Sequence, residues 1–115
     1  MGSEAFGHAF EHFIYQEIHA HSNYSGLQYP IHYWCTASQL EVDLVLGDHE
    51  VAIEIKATQN ANPRHAKGQK SFAEEYSVKK LLLITNGIFA RQTGEVLVLP
   101  WQVFLKSLWA GEIMA

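Results

Sequence analysis

A chain of 115 residues makes one domain of ordinary size, below the length at which single cores divide. With 48% hydrophobic and 17% charged residues it is no disordered tail, and its single cysteine, Cys35, excludes an internal disulfide and any multi-cysteine metal knuckle. A net charge of −4 gives little reason to look for a nucleic-acid coat protein, and no apolar run approaches ~18 residues.

The first predicted element is a helix over residues 4–20. Phe6, Ala9, Phe10, Phe13, Ile14 and Ile18 fall on one side of it at about 100° per residue, and Asn23 with Ser25-Gly26 ends it. His8, His12 and His19 form the opposite stripe, which the wheel places toward solvent. His8 to His12 has the H-x-x-E-H spelling of inverted zinc peptidases, and the solvent-facing placement argues against that reading. Glu11 lies at the edge of the apolar stripe, where it can reach from the core boundary into a cleft. Glu17 falls inside the apolar arc.

Residues 27–35 read as a strand ending in Tyr33-Trp34-Cys35, with Cys35 a core residue. Two strands follow, 40–46 and 51–56, joined by the short loop Gly47-Asp48-His49-Glu50. A polar loop leads to Pro63, which opens a helix running to about Tyr76. Leu81-Leu82-Leu83-Ile84 is a strand covered on both faces, Asn86-Gly87 turns the chain, and residues 95–99 form a last strand. Pro100 precedes a helix with Trp101, Phe104, Leu105 and Leu108 on one stripe and Trp109 off it. The predicted order is α-β-β-β-α-β with a β-α tail.

Alternation puts Leu40, Val42, Leu44 and Leu46 on one face and Glu41, Asp43 and Val45 on the other. A four-residue loop closed by Leu46 opposite Val51 makes partner numbers sum to 97. The apolar face then pairs Leu46–Val51, Leu44–Ile53 and Val42–Ile55; the second face pairs Val45–Ala52, Asp43–Glu54 and Glu41–Lys56. Like charges directly opposed on an antiparallel pair destabilise it, so Asp43 against Glu54 asks for a cation between them. Mg²⁺ or Mn²⁺ would remove the conflict, and Lys56 on the same face would contact a phosphate or a metal-bound water. The alternative leaves these acids at exposed strand positions, with Glu41–Lys56 as a weak surface pair.

Charge is divided unevenly along the chain. Residues 1–55 hold eight acids and no Lys or Arg, whereas residues 56–80 hold six basic residues against Glu74 and Glu75. Arg64, Lys67 and Lys70 in that second segment are candidate phosphate contacts.

Asp43 followed by Glu54-Ile55-Lys56 resembles the D-x(n)-E-x-K signature of the PD-(D/E)XK nuclease superfamily. Gly7-x-x-Phe10-Glu11, Glu41-Val42-Asp43, Ile53 to Lys56, Pro63-Arg64-His65-x-Lys67-Gly68 and Leu99-Pro100-Trp101, in that order, are similar to the domain of unknown function found C-terminal to AAA-type ATPase domains in bacteria and archaea. Cys35 departs from that pattern, standing where an arginine is frequent, and the chain has no phosphate-binding loop.

The resemblance covers nearly the whole chain and implies an α/β, restriction-endonuclease-like αβββαβ core: a mixed sheet flanked by helices, with a C-terminal β-α extension. It implies Asp43 and Glu54 as metal ligands with the Ile55 carbonyl, Glu11 in support, Lys56 as catalytic lysine, and Mg²⁺ or Mn²⁺ as cofactor. Phosphodiester hydrolysis on nucleic acid, DNA ahead of RNA, is the activity it implies; the alternative is an inactive binding module serving an ATPase. Its implied partner is an AAA-type ATPase domain in cis or in trans; separately, Trp109 off the α-helical stripe leaves room for a docking surface used by an ATPase domain or a second copy. The whole of 1–115 reads as one cytoplasmic domain with no membrane partner, and as a piece of a longer ATPase-containing chain if Met1-Gly2-Ser3 is an added start.

Overall fold

The computed structural model describes residues 3–37, 40–58 and 67–114. Its elements are α1 (Ser3–Tyr24), β1 (Ile31–Cys35), β2 (Glu41–Leu46), β3 (Val51–Lys56), α2 (Lys67–Glu75), β4 (Lys80–Thr85), β5 (Arg91–Thr93), β6 (Val96–Pro100) and α3 (Trp101–Trp109). The strands form one mixed sheet in the order β1-β2-β3-β4-β6-β5, antiparallel at both ends and parallel through β3, β4 and β6. Helices α1 and α3 cover one face, burying Phe10, Ile14, Ile18, Phe104 and Leu108 against Leu44, Leu46, Ile53, Ile55 and Leu82. On the other face α2 buries Phe72 against Val42, Val45, Ala52, Leu81, Leu83 and Val98. Removing this apolar area from water on both faces is the main term holding the three layers together.

The predicted element order holds, with three differences. First, the strand expected over residues 27–35 begins only at Ile31. Gln28 has a φ of 49°, which no extended strand accommodates, and the segment folds back on the end of α1 instead. There the Tyr29 hydroxyl donates to the Ile18 carbonyl at 3.3 Å and lies 2.8 Å from His21 Nδ1, while Ser22 Oγ donates to the Tyr29 carbonyl at 3.1 Å. Second, Arg91-Gln92-Thr93 adds a polar edge strand paired with β6. Third, the helix expected from Pro63 is described from Lys67 onward, so its opening turn lies outside the described residues.

The first helix also buries a different arc from the predicted one. Phe10, Ile14 and Ile18 are fully inside, whereas Phe6 and Phe13 are 49% and 40% exposed on its flank. Phe13 packs there edge-on against Trp101 of α3, with ring centroids 5.6 Å apart. The α3 stripe is as expected, with Phe104 and Leu108 buried and Trp101 and Leu105 beside them. Trp109 closes onto α1, where its Nε1 donates to Glu17 at 3.2 Å and its ring meets His21 edge-on. Glu17 is thereby engaged away from the cleft. Cys35, expected in the core, is exposed at the end of an edge strand.

Helix α2 is held by two features of its sequence. Gln69 is fully buried, and its Nε2 donates to the Ala52 carbonyl at 2.9 Å and the Leu82 carbonyl at 2.7 Å, so one side chain bridges β3 and β4. Gly68 lets the helix lie directly on the Glu41 backbone, where any Cβ would overlap the Glu41 carbonyl. Gly7, in α1, has open space by comparison. Replacing glycine by alanine favours helix at both positions by up to ~1 kcal/mol, so the two should part on packing alone. Gly68→Ala is expected to destabilise by roughly 1–3 kcal/mol and Gly7→Ala to be neutral or stabilising; thermal unfolding of the two variants checks this.

Candidate metal centre at the end of the β2–β3 ladder

The predicted register is present where the hairpin is closed. Leu46–Val51, Val45–Ala52 and Leu44–Ile53 are partners, and the chain reverses through Gly47 at a φ of 70°. Beyond Leu44–Ile53 the backbone ladder stops, and the expected rungs Val42–Ile55, Asp43–Glu54 and Glu41–Lys56 do not form. Carboxylates take over instead. The Ile55 N–H donates to Asp43 Oδ2 at 2.9 Å, and the Asp43 N–H donates to Glu54 Oε1 at 3.2 Å. Each acid thus satisfies the backbone of the opposite strand where the strands part.

A β-bulge is the local cause. On the β1 side His32 pairs Val45 and Trp34 pairs Val42, so Asp43 and Leu44 together oppose Tyr33. The extra residue breaks the alternation and corrects the predicted faces. Val42 joins Val45 on the α2 side, Leu44 and Leu46 stay on the α1 side, and Asp43 lines a cavity there with Leu44 and Ile55. Asp43 and Glu54 do come together, by side-chain bonds across a parted ladder rather than as an opposed pair on one pleated face.

The cavity, of about 270 Å³, is walled by His8, Glu11, His12 and Tyr15 of α1. Glu11 is where the sequence placed it, exposed at the mouth and facing Asp43. His8 and His12 were expected on the far side of the helix. Because the buried arc is centred on Ile14 and Ile18 rather than on the Phe6/Phe13 flank, this pair turns toward the cleft instead. Among the described residues no group of three or more His, Cys, Asp or Glu side chains is placed to hold a metal ion; this applies to His8, Glu11 and His12 and equally to the predicted set Glu11, Asp43 and Glu54. Lys56 is half-exposed with its Nζ 3.3 Å from Glu54 Oε2, and Glu41 accepts from the Tyr33 hydroxyl at 2.9 Å, so the expected Glu41–Lys56 pair is absent. Lys67 and Lys70 are exposed on α2, in the layer opposite the cavity. Only the N-terminal end of that helix, at Gly68, approaches the start of β2. Arg64 lies outside the described residues.

Burial dominates the electrostatics. It pushes Glu54 up to about 7, with the Asp43 charge adding to the rise and Lys56 opposing it. Asp43 is raised for the same first reason; the Ile55 N–H pulls it back and Glu11 pushes it further. Two adjacent carboxyl groups raised mainly by desolvation mark this spot as a candidate site for a cation or a proton.

Residues 6–104 match the family model of a domain of unknown function, DUF4143. The chain belongs to the DUF4143 family. No curated protein and no solved structure matched it. The matched region runs from Phe6 to Phe104, so α1 from Phe6 onward, α2, all six strands and the first half of α3 of this DUF4143 domain lie inside it. No helix among its described residues is long and apolar enough to cross a membrane.

A raised carboxyl stabilises the fold while it is protonated. With Glu54 at about 7 when folded and 4.5 as its ordinary value, that contribution is complete below pH 4.5 and is lost as pH rises through 7. The metal-free protein is therefore expected to lose stability, of order 1–3 kcal/mol, between pH 5 and 8. Glu54→Gln should flatten that slope, as read by denaturant unfolding of both proteins across the interval.

Proposed function

We propose that this DUF4143 domain is a PD-(D/E)XK-type, restriction-endonuclease-like domain that hydrolyses phosphodiester bonds of nucleic acid, DNA ahead of RNA, with Mg²⁺ or Mn²⁺. One observation carries the reading: a half-buried and a buried carboxylate, Asp43 and Glu54, replace the backbone rungs where β2 and β3 part, with a lysine against the second. The residues fit a hard divalent cation. Asp43 and Glu54 supply carboxylate oxygens, and the Ile55 N–H already points at β2, so in an extended strand its carbonyl points the same way. A magnesium site needs only one or two carboxylates, with water and substrate phosphate filling the remaining positions.

A bound ion supplies Lewis acidity, lowering the pKa of a coordinated water and offsetting charge on the phosphate. The rest falls to the chain. Asp43 and Glu54 are held in place by the N–H groups of Ile55 and Asp43, so neither must reorganise to receive a ligand. Lys56 sits against Glu54, from where its ammonium orients the attacking water or meets a phosphate oxygen. Glu11 adds negative charge at the mouth and supports the cation. Lys67 and Lys70, with Arg64, would meet backbone phosphates away from the reacting group. An AAA-type ATPase domain, in cis or in trans, would deliver the strand, and a homodimer is the alternative assembly.

A second reading is an inactive relative that serves an ATPase as a binding module. The observation favouring it is the Lys56–Glu54 contact, which neutralises one of the two carboxylates without any metal. Calorimetric titration with Mn²⁺ separates the two. The active reading expects binding heat in the wild type and its loss in Asp43→Ala; no binding, or binding indifferent to that substitution, removes it. Lys56→Ala is expected to keep the metal and lose roughly 10²–10⁴-fold in turnover against a panel of single- and double-stranded DNA and RNA.

A further inference from the structure

The loop between β4 and β5 ends in two adjacent large apolar side chains, Ile88 and Phe89, which are 81% and 79% exposed. Water-facing pairs of this kind cost free energy wherever they have no partner. Their place in the fold is specific. Thr85, the last residue of β4, is the register partner of Lys56, and the Asn86 N–H donates to the Thr58 carbonyl, two residues past that lysine. The loop is thus anchored to the strand end that carries the candidate site. Arg91 then pairs with Val98, so the loop crosses the same carboxyl-terminal edge of the sheet over β6. Phe89 is four positions after Thr85, which keeps its Cα within ~14 Å of that strand end.

We infer that Ile88 and Phe89 form a stacking platform for bases of a single-stranded nucleic acid whose backbone runs along the strand-end edge toward Asp43 and Glu54; the inference rests on the proposed phosphodiesterase reading of that pair. Every base has a π-face, so an exposed phenyl ring beside a phosphate-handling site binds single strands without reading their sequence. A single strand is the occupant because bases in a duplex are already stacked and paired.

The test is fluorescence anisotropy of a labelled single-stranded oligodeoxynucleotide, at low salt in EDTA, with the whole chain. Phe89→Ala is expected to bind roughly tenfold more weakly, Phe89→Trp to match or exceed the wild type, and both to keep the wild-type melting temperature. Equal affinity in Phe89→Ala overturns the inference, as does tighter binding of a blunt duplex than of the single strand, or no binding by the wild type. So does an effect of Phe89→Ala on sedimentation alone, which would assign the loop to protein association. The Mn²⁺ titration stands apart from these outcomes: Phe89-dependent strand binding in a wild type that takes no Mn²⁺ would remove the hydrolytic reading and leave the platform in place.

Discussion

The structure turns on a single substitution of partners: where β2 and β3 part, two carboxylates do the work that carbonyl oxygens do elsewhere in the ladder. A buried N–H without an acceptor costs about as much as a lost hydrogen bond, so strands rarely separate inside a sheet. Here Asp43 accepts from Ile55 and Glu54 accepts from Asp43, and the separation is tolerated. The bulge at Asp43-Leu44 makes this possible by turning Asp43 to the α1 side while its own N–H stays in reach of β3. The gap, the cavity above it and the raised carboxyl groups all follow from that exchange.

The surroundings keep the gap from spreading. On one side β3 is locked into parallel pairing along its full length with β4, which pairs in turn with β6. Gln69 reaches from α2 to tie the β3 and β4 carbonyls together from the opposite layer, and Gly68 lets that helix sit on the Glu41 backbone beside the opening. Helix α1 crosses above, its buried arc fixed by Ile14 and Ile18 and its free flank presenting Glu11, His8 and His12 to the cleft. The carboxyl ends of the parallel strands meet at this edge, the usual place for a ligand in an α/β sheet.

The hairpin was legible because loop length and alternation together fix register, and three rungs follow the predicted sum. The bulge was not. Glu-Val-Asp-Leu-Val-Leu alternates well enough by eye, and no glycine or proline marks the residue at which it slips. The α1 wheel misled for a related reason: Phe6 and Phe13 are large enough to dominate a hydrophobic arc, yet Phe13 serves a flank contact with Trp101 rather than the core. A tilt of the wheel by part of a turn was sufficient to send His8 and His12 to the wrong side. Tyr29 read as a strand residue because its apolar ring carries β-propensity, while its hydroxyl was spoken for by α1. Edge strand β5 is short and polar, and nothing in Arg-Gln-Thr distinguishes it from a loop. In each case tertiary context decided what local pattern left ambiguous.

The net charge of −4 is an average over unlike halves, and the acidic half contains its own argument for function. The backbone donors at the parted ladder need acceptors, but they do not need charges: an asparagine at 43 and a glutamine at 54 would offer an amide oxygen to the same N–H groups without the cost of burying an anion. The chain instead holds two carboxylates there, with burial raising both, the Asp43 charge adding to the rise at Glu54 and Glu11 to the rise at Asp43. Lys56 relieves that only in part, since it remains half-exposed and touches Glu54 alone. A neutral pair would satisfy the same geometry at lower cost, so the two carboxylates are an electrostatic penalty in the metal-free chain, and it is this penalty that the proposed cation would relieve.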